Sequence, residues 1–206
     1  MKQGVRWGGR VVTGLAALVL LTRCGGDTAT GELAEGSHCQ DTTVLGTRML
    51  ACGPAADAYA EEGLPQTNYG GSRKLVADNL VRRVAFLRFE VPQLPAPVRR
   101  ATLRLYALDG STDGPALYRA STEWSEDSLS WERAPLLSGA PLGDVGEVPN
   151  HSWVEYDVTT AVTGPGAYGF ALVTESRNGV DFASKEHAHK DWAPRLILTL
   201  EGTSRK

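Results

Sequence analysis

Basic side chains are concentrated in one stretch of an acidic chain of 206 residues. The sequence holds 21 Lys and Arg against 24 Asp and Glu, a formal net charge of −3. Residues 73–104 nevertheless contain eight basic residues and only two acidic ones, Asp78 and Glu90. Guanidinium groups match carboxylates through paired hydrogen bonds, so several of them on one sheet face suit a carboxylate-bearing ligand. The candidate binding cations are Arg83, Arg88, Arg104 and, further along the chain, Lys185.

A structural role for the same cations is the alternative. Residues 120–160 hold eight Asp and Glu against Arg133 alone. Pairs of opposite charge across neighbouring strands stabilise sheets, so these acids could neutralise the arginines within the fold. Both interpretations stay open at the level of sequence.

Short alternating segments must position these side chains. In residues 101–106, Ala101, Leu103 and Leu105 fall on one face, and Thr102 and Arg104 on the other. Residues 84–91 alternate in the same way, with Arg88 opposite the apolar face. If these two strands are neighbours, Arg88 and Arg104 share one exposed patch.

The same pattern extends over the remainder of the chain and predicts an all-β, jelly-roll-like β-sandwich. Further strands are expected at 153–158, 168–174 and 195–200, with weaker ones at 59, 75–77, 117–119 and 180–184. Asn178-Gly179 predicts a two-residue hairpin between the strands that flank it. No segment is long enough for a packing helix. We therefore expect a single domain over residues 55–202.

The N-terminal residues indicate export. Basic residues precede a short apolar run from Val11 to Leu21, which is typical of a signal peptide over residues 1–23 and too short to span a bilayer. Cys24 follows shortly after the run, in a context that resembles the lipidated cysteine of bacterial lipoproteins. Arg23 departs from that pattern, because a small residue usually stands there, so simple secretion is the alternative. We expect a secreted or cell-surface protein with no membrane contact beyond a lipid anchor.

Residues 24–54 are expected to form a tether and an N-terminal extension. Cys39 and Cys52 lie within this segment, in a compartment that permits disulfides. We predict that they pair, with two unpaired thiols as the alternative. Removal of residues 1–23 takes away four basic residues and no acidic one, so the net charge moves from −3 to −7. Such an acidic chain argues against general nucleic-acid binding.

Several strings, in a fixed order, resemble one family. They are Asp57-Ala-Tyr59, Thr67-Asn-Tyr-Gly-Gly71, Arg83-Val-Ala-Phe-Leu-Arg-Phe89, Ala101-Thr-Leu-Arg-Leu-Tyr106, Trp124-Ser-Glu126, Leu129-Ser-Trp-Glu-Arg-Ala-Pro135, Trp153-Val-Glu-Tyr-Asp157, Gly179-Val-Asp-Phe-Ala-Ser-Lys-Glu186 and Pro194-Arg-Leu196. Together they resemble the DNRLRE domain, which is carbohydrate-binding module family 96. The resemblance covers roughly residues 55–200.

The resemblance implies a jelly-roll-like sandwich that binds extracellular polysaccharide, with alginate-like acidic polymers as one type of ligand. We expect a monomer with a polysaccharide partner and no enzymatic activity. Aromatic rings stack on the apolar faces of sugars, so exposed tryptophans and tyrosines would complete the site. Trp192 and Tyr69 are the candidates, with Trp124, Trp131 and Trp153 as further tryptophans to consider.

Metal ligands are weakly indicated. Glu186, His187, His189 and Asp191 stand in one polar loop, but two histidines in such a loop are usually solvated. No cofactor is expected. A structural calcium bound by Asp57, Asn68 or Asp181 with backbone carbonyls stays open.

Enzyme motifs are missing from the sequence. It contains no nucleophile elbow, no phosphate-binding loop, no dinucleotide glycine pattern and no zinc-protease helix. Two alternatives to sugar binding stay open: a structural or adhesive surface module without a sugar ligand, and a jelly-roll polysaccharide lyase. A lyase would use arginine, tyrosine and histidine on the same kind of sheet.

Overall fold

The computed structural model describes residues 38–44 and 47–202. Within these residues the chain forms β-strands, two short 3₁₀ turns and no α-helix. The strands are β1 (Cys39–Val44), β2 (Thr47–Cys52), β3 (Ala56–Glu61), β4 (Lys74–Ala77), β5 (Arg83–Val91), β6 (Val98–Asp109), β7 (Ala116–Ala120), β8 (Leu137–Gly143), β9 (Ser152–Asp157), β10 (Gly166–Val173), β11 (Val180–Ala183) and β12 (Arg195–Leu200). The 3₁₀ turns are Trp131–Arg133 and Lys190–Trp192.

The predicted signal peptide, Cys24 and the tether up to residue 37 lie outside the described residues. Among the described residues, no helix has the length and apolar character needed to cross a membrane.

Two antiparallel sheets form the sandwich. The first sheet has the order β1-β2-β12-β6-β11-β4, with β9 also paired to β6. The second sheet has the order β3-β5-β10-β7-β8. From β2 to β7 every connection crosses from one sheet to the other, as in a jelly roll. The prediction of an all-β sandwich is confirmed.

The core lies between the inner faces, where the period-two alternation places it. On β6, Ala101, Leu103 and Leu105 are fully buried, whereas Arg104 on the opposite face is partly exposed. Phe89 of the second sheet packs edge-on against Phe170, with ring centroids 6.2 Å apart. Burial of each such large side chain stabilises the fold by about 1.5–3 kcal/mol.

The second sheet is covered on its outer face as well. The loop over residues 121–135, called the Trp124 loop below, places Leu129 and Trp124 against Val84 and Phe86. The strand β5 is therefore buried on both sides, which explains its nearly continuous apolar run.

The segment between Cys39 and Cys52 belongs to the sandwich. β1 and β2 form a hairpin with Cys39 opposite Cys52, and β2 pairs with β12. The predicted disulfide is confirmed, with an S–S distance of 2.01 Å. Residues 24–54 were expected to form a tether and an extension ahead of the domain. Only the pairing of β2 with β12 shows that the hairpin is an edge of the first sheet.

The hairpin prediction at Asn178-Gly179 is wrong. β10 belongs to the second sheet and β11 to the first, so the flanking strands do not pair. Gly179 instead allows a close approach to β4, because a Cβ atom built there would lie 2.3 Å from the carbonyl oxygen of Ala77.

Candidate functional site

The predicted common patch of arginines does not form. Arg83 and Arg88 lie on β5 in the second sheet, and Arg104 lies on β6 in the first sheet. The two strands are consecutive in the chain, but their connection crosses the sandwich. Arg88 and Arg104 point outward from different sheets, so the expectation of a shared patch is wrong.

Arg83 is held by two carboxylates. Its Nε atom lies 2.7 Å from Oε2 of Glu61, and its Nη1 atom lies 3.5 Å from Oδ2 of Asp78. The side chain of Glu61 is largely buried, so this pair joins the end of β3 to the start of β5. Arg83 therefore has the structural pairing that was the alternative to ligand binding.

Arg88 fastens the Trp124 loop to the second sheet. Its Nη1 atom donates a hydrogen bond to the Trp124 carbonyl oxygen at 2.9 Å, and its guanidinium carbon lies 5.9 Å from the centroid of the Trp124 ring. Glu90 is a weaker partner, with 3.8 Å between the charged atoms. The Arg88 guanidinium therefore has its partners within the protein, which is a structural role.

Tyr69 also has an internal partner. Its ring stacks on Tyr59 with centroids 4.2 Å apart, and its hydroxyl donates to Glu61 at 3.4 Å. Burial raises the pKa of Tyr59 to about 12, so this stacked pair is neutral at physiological pH. The pair packs beside Arg83 and Glu61.

Lys185 reaches two carboxylates at one end of the sandwich. Its Nζ atom lies 2.7 Å from Oε2 of Glu126 and also contacts Glu186. Burial by itself lowers the pKa of Lys185, but the hydrogen bonds to Glu126 and Glu186 outweigh that effect and raise it above the usual value. The ammonium is therefore charged throughout the physiological range.

Three aromatic rings assemble on the outer face of the first sheet. Tyr106 on β6 lies opposite Trp153 on β9, with ring centroids 5.1 Å apart. The loop after β11 brings Trp192 onto Tyr106 as well, with the two rings stacked at a centroid distance of 4.4 Å. Trp153 is 37 % exposed, which is unusual for so large an apolar side chain. We call Tyr106, Trp153 and Trp192 the aromatic platform.

Polar groups surround the aromatic platform. The guanidinium carbon of Arg104 lies 4.1 Å from the centroid of the Trp153 ring, and its Nε atom lies 3.3 Å from Glu155. His187 and His189 pack against Trp192, with centroids 5.2 and 4.3 Å away. Apolar ring surface beside hydrogen-bonding groups is the combination that a sugar ring requires.

A pocket of about 360 Å³ adjoins the aromatic platform. It is lined by basic side chains, Lys185, Lys190 and Arg195, together with Glu186 and His38. Arg195 on β12 lies directly opposite Arg104 on β6, so the pocket and the platform meet at this pair. Within residues 38–44 and 47–202, neither Arg195 nor Lys190 forms an ion pair with a carboxylate. We call this the cationic pocket.

Of the six predicted binding residues, the structure places Arg104 and Trp192 at the aromatic platform and Lys185 in the lining of the cationic pocket. Tyr106 and Arg195 were missed. Tyr106 follows the same alternation that turns Arg104 outward, so its position on the outer face was available from the sequence. The position of Arg195 opposite Arg104 depends on the pairing of β12 with β6, which no local pattern predicts.

A β-sandwich that presents an exposed tryptophan, packed with further aromatic rings and flanked by cations, on the outer face of a sheet has the features of a sugar-binding module. The sequence model of carbohydrate-binding module family 96 matches residues 50–200. The chain belongs to this family, as the sequence motifs predicted. A search among curated proteins finds no significant match.

Proposed function

We propose that the outer face of the first sheet binds an extracellular polysaccharide without cleaving it. The observation that carries the proposal is the aromatic platform, where Trp153 stays 37 % exposed beside Arg104. Sugar rings stack on such side chains through their apolar C–H faces, and the neighbouring guanidinium and imidazole groups can hydrogen-bond to hydroxyls or carboxylates. Arg83, Arg88 and Tyr69 have no part in this site.

The polysaccharide is acidic in this proposal, with uronate carboxylates bound near Arg195. Arg195 and Arg104 face each other across paired strands, and like charges in that position destabilise a sheet. Glu155 compensates Arg104, whereas Arg195 has no carboxylate partner within the described part of the chain. A ligand carboxylate at the cationic pocket would relieve this repulsion.

A polysaccharide lyase is the second candidate. The specific observation in its favour is that His187, His189 and Tyr106 lie around Trp192, close to Arg104. A lyase needs a general base, a proton donor and a cation that neutralises the uronate. The ring of Tyr106 stacks on Trp192 and makes an edge contact with Trp153, which favours an aromatic packing role over proton transfer.

Affinity electrophoresis in gels that contain alginate, pectate or a neutral β-glucan tests these candidates together. Retardation by the uronate polymers, with no unsaturated product absorbing in the ultraviolet, is the expected result. Formation of that product would establish the lyase. No retardation by any glycan would contradict the proposal and favour a structural or adhesive module.

The site is proposed to act at a bacterial cell surface through a lipid on Cys24. The support is the N-terminal sequence, in which a short apolar run precedes the cysteine. Metabolic labelling with a fatty-acid analogue should mark the wild-type chain and not Cys24→Ser. Labelling of both chains, or of neither, would contradict the lipid anchor.

A further inference from the structure

Three carboxylates from distant parts of the chain meet at one end of the sandwich. Asp57 comes from β3, Glu126 from the Trp124 loop and Glu186 from the segment after β11. One oxygen of each lies within 4.8 Å of the others. All three residues stand in strings that carry the family resemblance. We call them the carboxylate cluster.

Four oxygens of the carboxylate cluster have donors. The Asp57 backbone N–H donates to Oε1 of Glu126 at 2.9 Å, and the Lys185 backbone N–H donates to Oδ2 of Asp57 at 2.9 Å. The Lys185 ammonium contacts the second oxygen of Glu126 and Oε1 of Glu186. Each of these interactions is compatible with an ionised carboxylate.

Two further oxygens of the carboxylate cluster have none. Oδ1 of Asp57 and Oε2 of Glu186 are buried and have no hydrogen-bond partner among the described residues. Asp57 is only 1 % exposed. Buried carboxylate oxygens are normally satisfied by hydrogen bonds, by ion pairs or by a metal, so these two atoms are free to coordinate a cation.

Charge leads to the same conclusion. Three carboxylates face a single ammonium, that of Lys185. When all three carboxylates are ionised, two negative charges of the carboxylate cluster are therefore left uncompensated. A divalent cation compensates both.

We propose that Asp57, Glu126 and Glu186 bind one Ca²⁺ ion. Ca²⁺ takes six to eight oxygen ligands in flexible geometry, whereas Mg²⁺ requires a near-ideal octahedron and usually keeps several waters with only one or two carboxylates, so three carboxylates from separate segments suit Ca²⁺ better. Glu186 also lines the cationic pocket.

The site differs from the calcium ligands considered from the sequence. Asp57 is common to both sets. The amide of Asn68 instead donates to the carbonyl oxygens of Glu126 and Leu129, and Asp181 pairs with Lys74 at 2.7 Å. Asn68 therefore positions the loop that carries Glu126, and Asp181 lies outside the carboxylate cluster.

Calorimetric titration and thermal unfolding of the full-length chain test the proposal. After treatment with a chelator, CaCl₂ should bind at one site and raise Tm by about 5–10 °C at a hundredfold excess over Kd, whereas MgCl₂ should have a smaller effect. Tb³⁺ should show luminescence sensitised by tryptophan, because Trp124 is two residues from Glu126.

Variants separate this site from general ion binding. Glu186→Gln preserves the side-chain size at a partly exposed position and should abolish the Ca²⁺ response, as should Asp57→Asn if that variant folds. Glu147→Gln, an exposed carboxylate elsewhere, should retain the response. Wild-type protein with no Ca²⁺ response, or a response that persists in Glu186→Gln, would overturn the proposal. If the chelated wild type is stabilised by acid and not by Ca²⁺, a proton shared by Asp57 and Glu186 takes the cation's place.

Discussion

Replacement of Trp153 by alanine removes the most exposed ring of the aromatic platform. The residue is 37 % exposed, and its remaining surface is in contact with Tyr106 and Arg104. The exposed part offers a sugar roughly 90 Å² of mostly apolar surface, taking about 250 Å² for the whole side chain. A sugar ring that covers half to all of it gains about 1–2 kcal/mol at ~25 cal/mol per Å².

Loss of that contact should weaken polysaccharide binding by about 5- to 30-fold. The fold itself should lose little, because the side chain lies at the surface and β9 retains its pairing with β6. Calorimetry with the glycan that retards the wild type in affinity gels measures the loss. Leu136→Ala is the matched control, because this apolar side chain is 82 % exposed and lies outside the aromatic platform.

An unchanged affinity in Trp153→Ala would refute the reasoning, since no other residue of the aromatic platform is equally accessible. An equal loss in Leu136→Ala would also refute it, because the effect would then reflect general surface hydrophobicity. Denaturant unfolding of both variants ensures that the comparison is made between folded proteins.

Three further predictions concern charged residues. Arg88→Ala should lower the free energy of unfolding by about 2–3 kcal/mol, because it removes the hydrogen bond to the Trp124 carbonyl, and should leave the glycan affinity of the folded protein unchanged. Urea unfolding measures the first effect and calorimetry the second. Weaker binding without destabilisation would contradict the structural role of Arg88. Arg195→Ala should weaken alginate binding by about 5- to 30-fold and reduce its salt dependence, while binding of neutral glucans persists. The control is Arg177→Ala, at an exposed arginine outside the cationic pocket. Equal losses for charged and neutral glycans would disprove a carboxylate contact. Burial raises the pKa of Asp57 in the folded state, so the folded protein binds a proton at this carboxylate more readily than the unfolded chain does. In the presence of a chelator, the free energy of unfolding should therefore increase as pH falls through the folded-state pKa towards the ordinary value of about 4. Denaturant unfolding as a function of pH measures this slope, and a slope that is the same in Asp57→Asn would exclude Asp57 as its source.

The sequence alone determines the class of fold, because alternation with a period of two is a local property. The buried positions of β6 and β12 follow directly from it, as does the outward direction of Arg104. The pairing of Cys39 with Cys52 was also predictable, since only these two cysteines follow Cys24. The motifs that indicate carbohydrate-binding module family 96 cover nearly the whole domain.

Only the tertiary structure decides which strands are neighbours. Alternation shows that Arg88 and Arg104 turn away from the core, but it does not assign their strands to sheets, and the two residues lie on opposite layers. The same applies to Tyr106, Trp153 and Trp192, which come from widely separated segments. Strand partners are selected by burial of both inner faces at once, which is a property of the whole chain. The site therefore depends on non-local pairing that no single segment encodes.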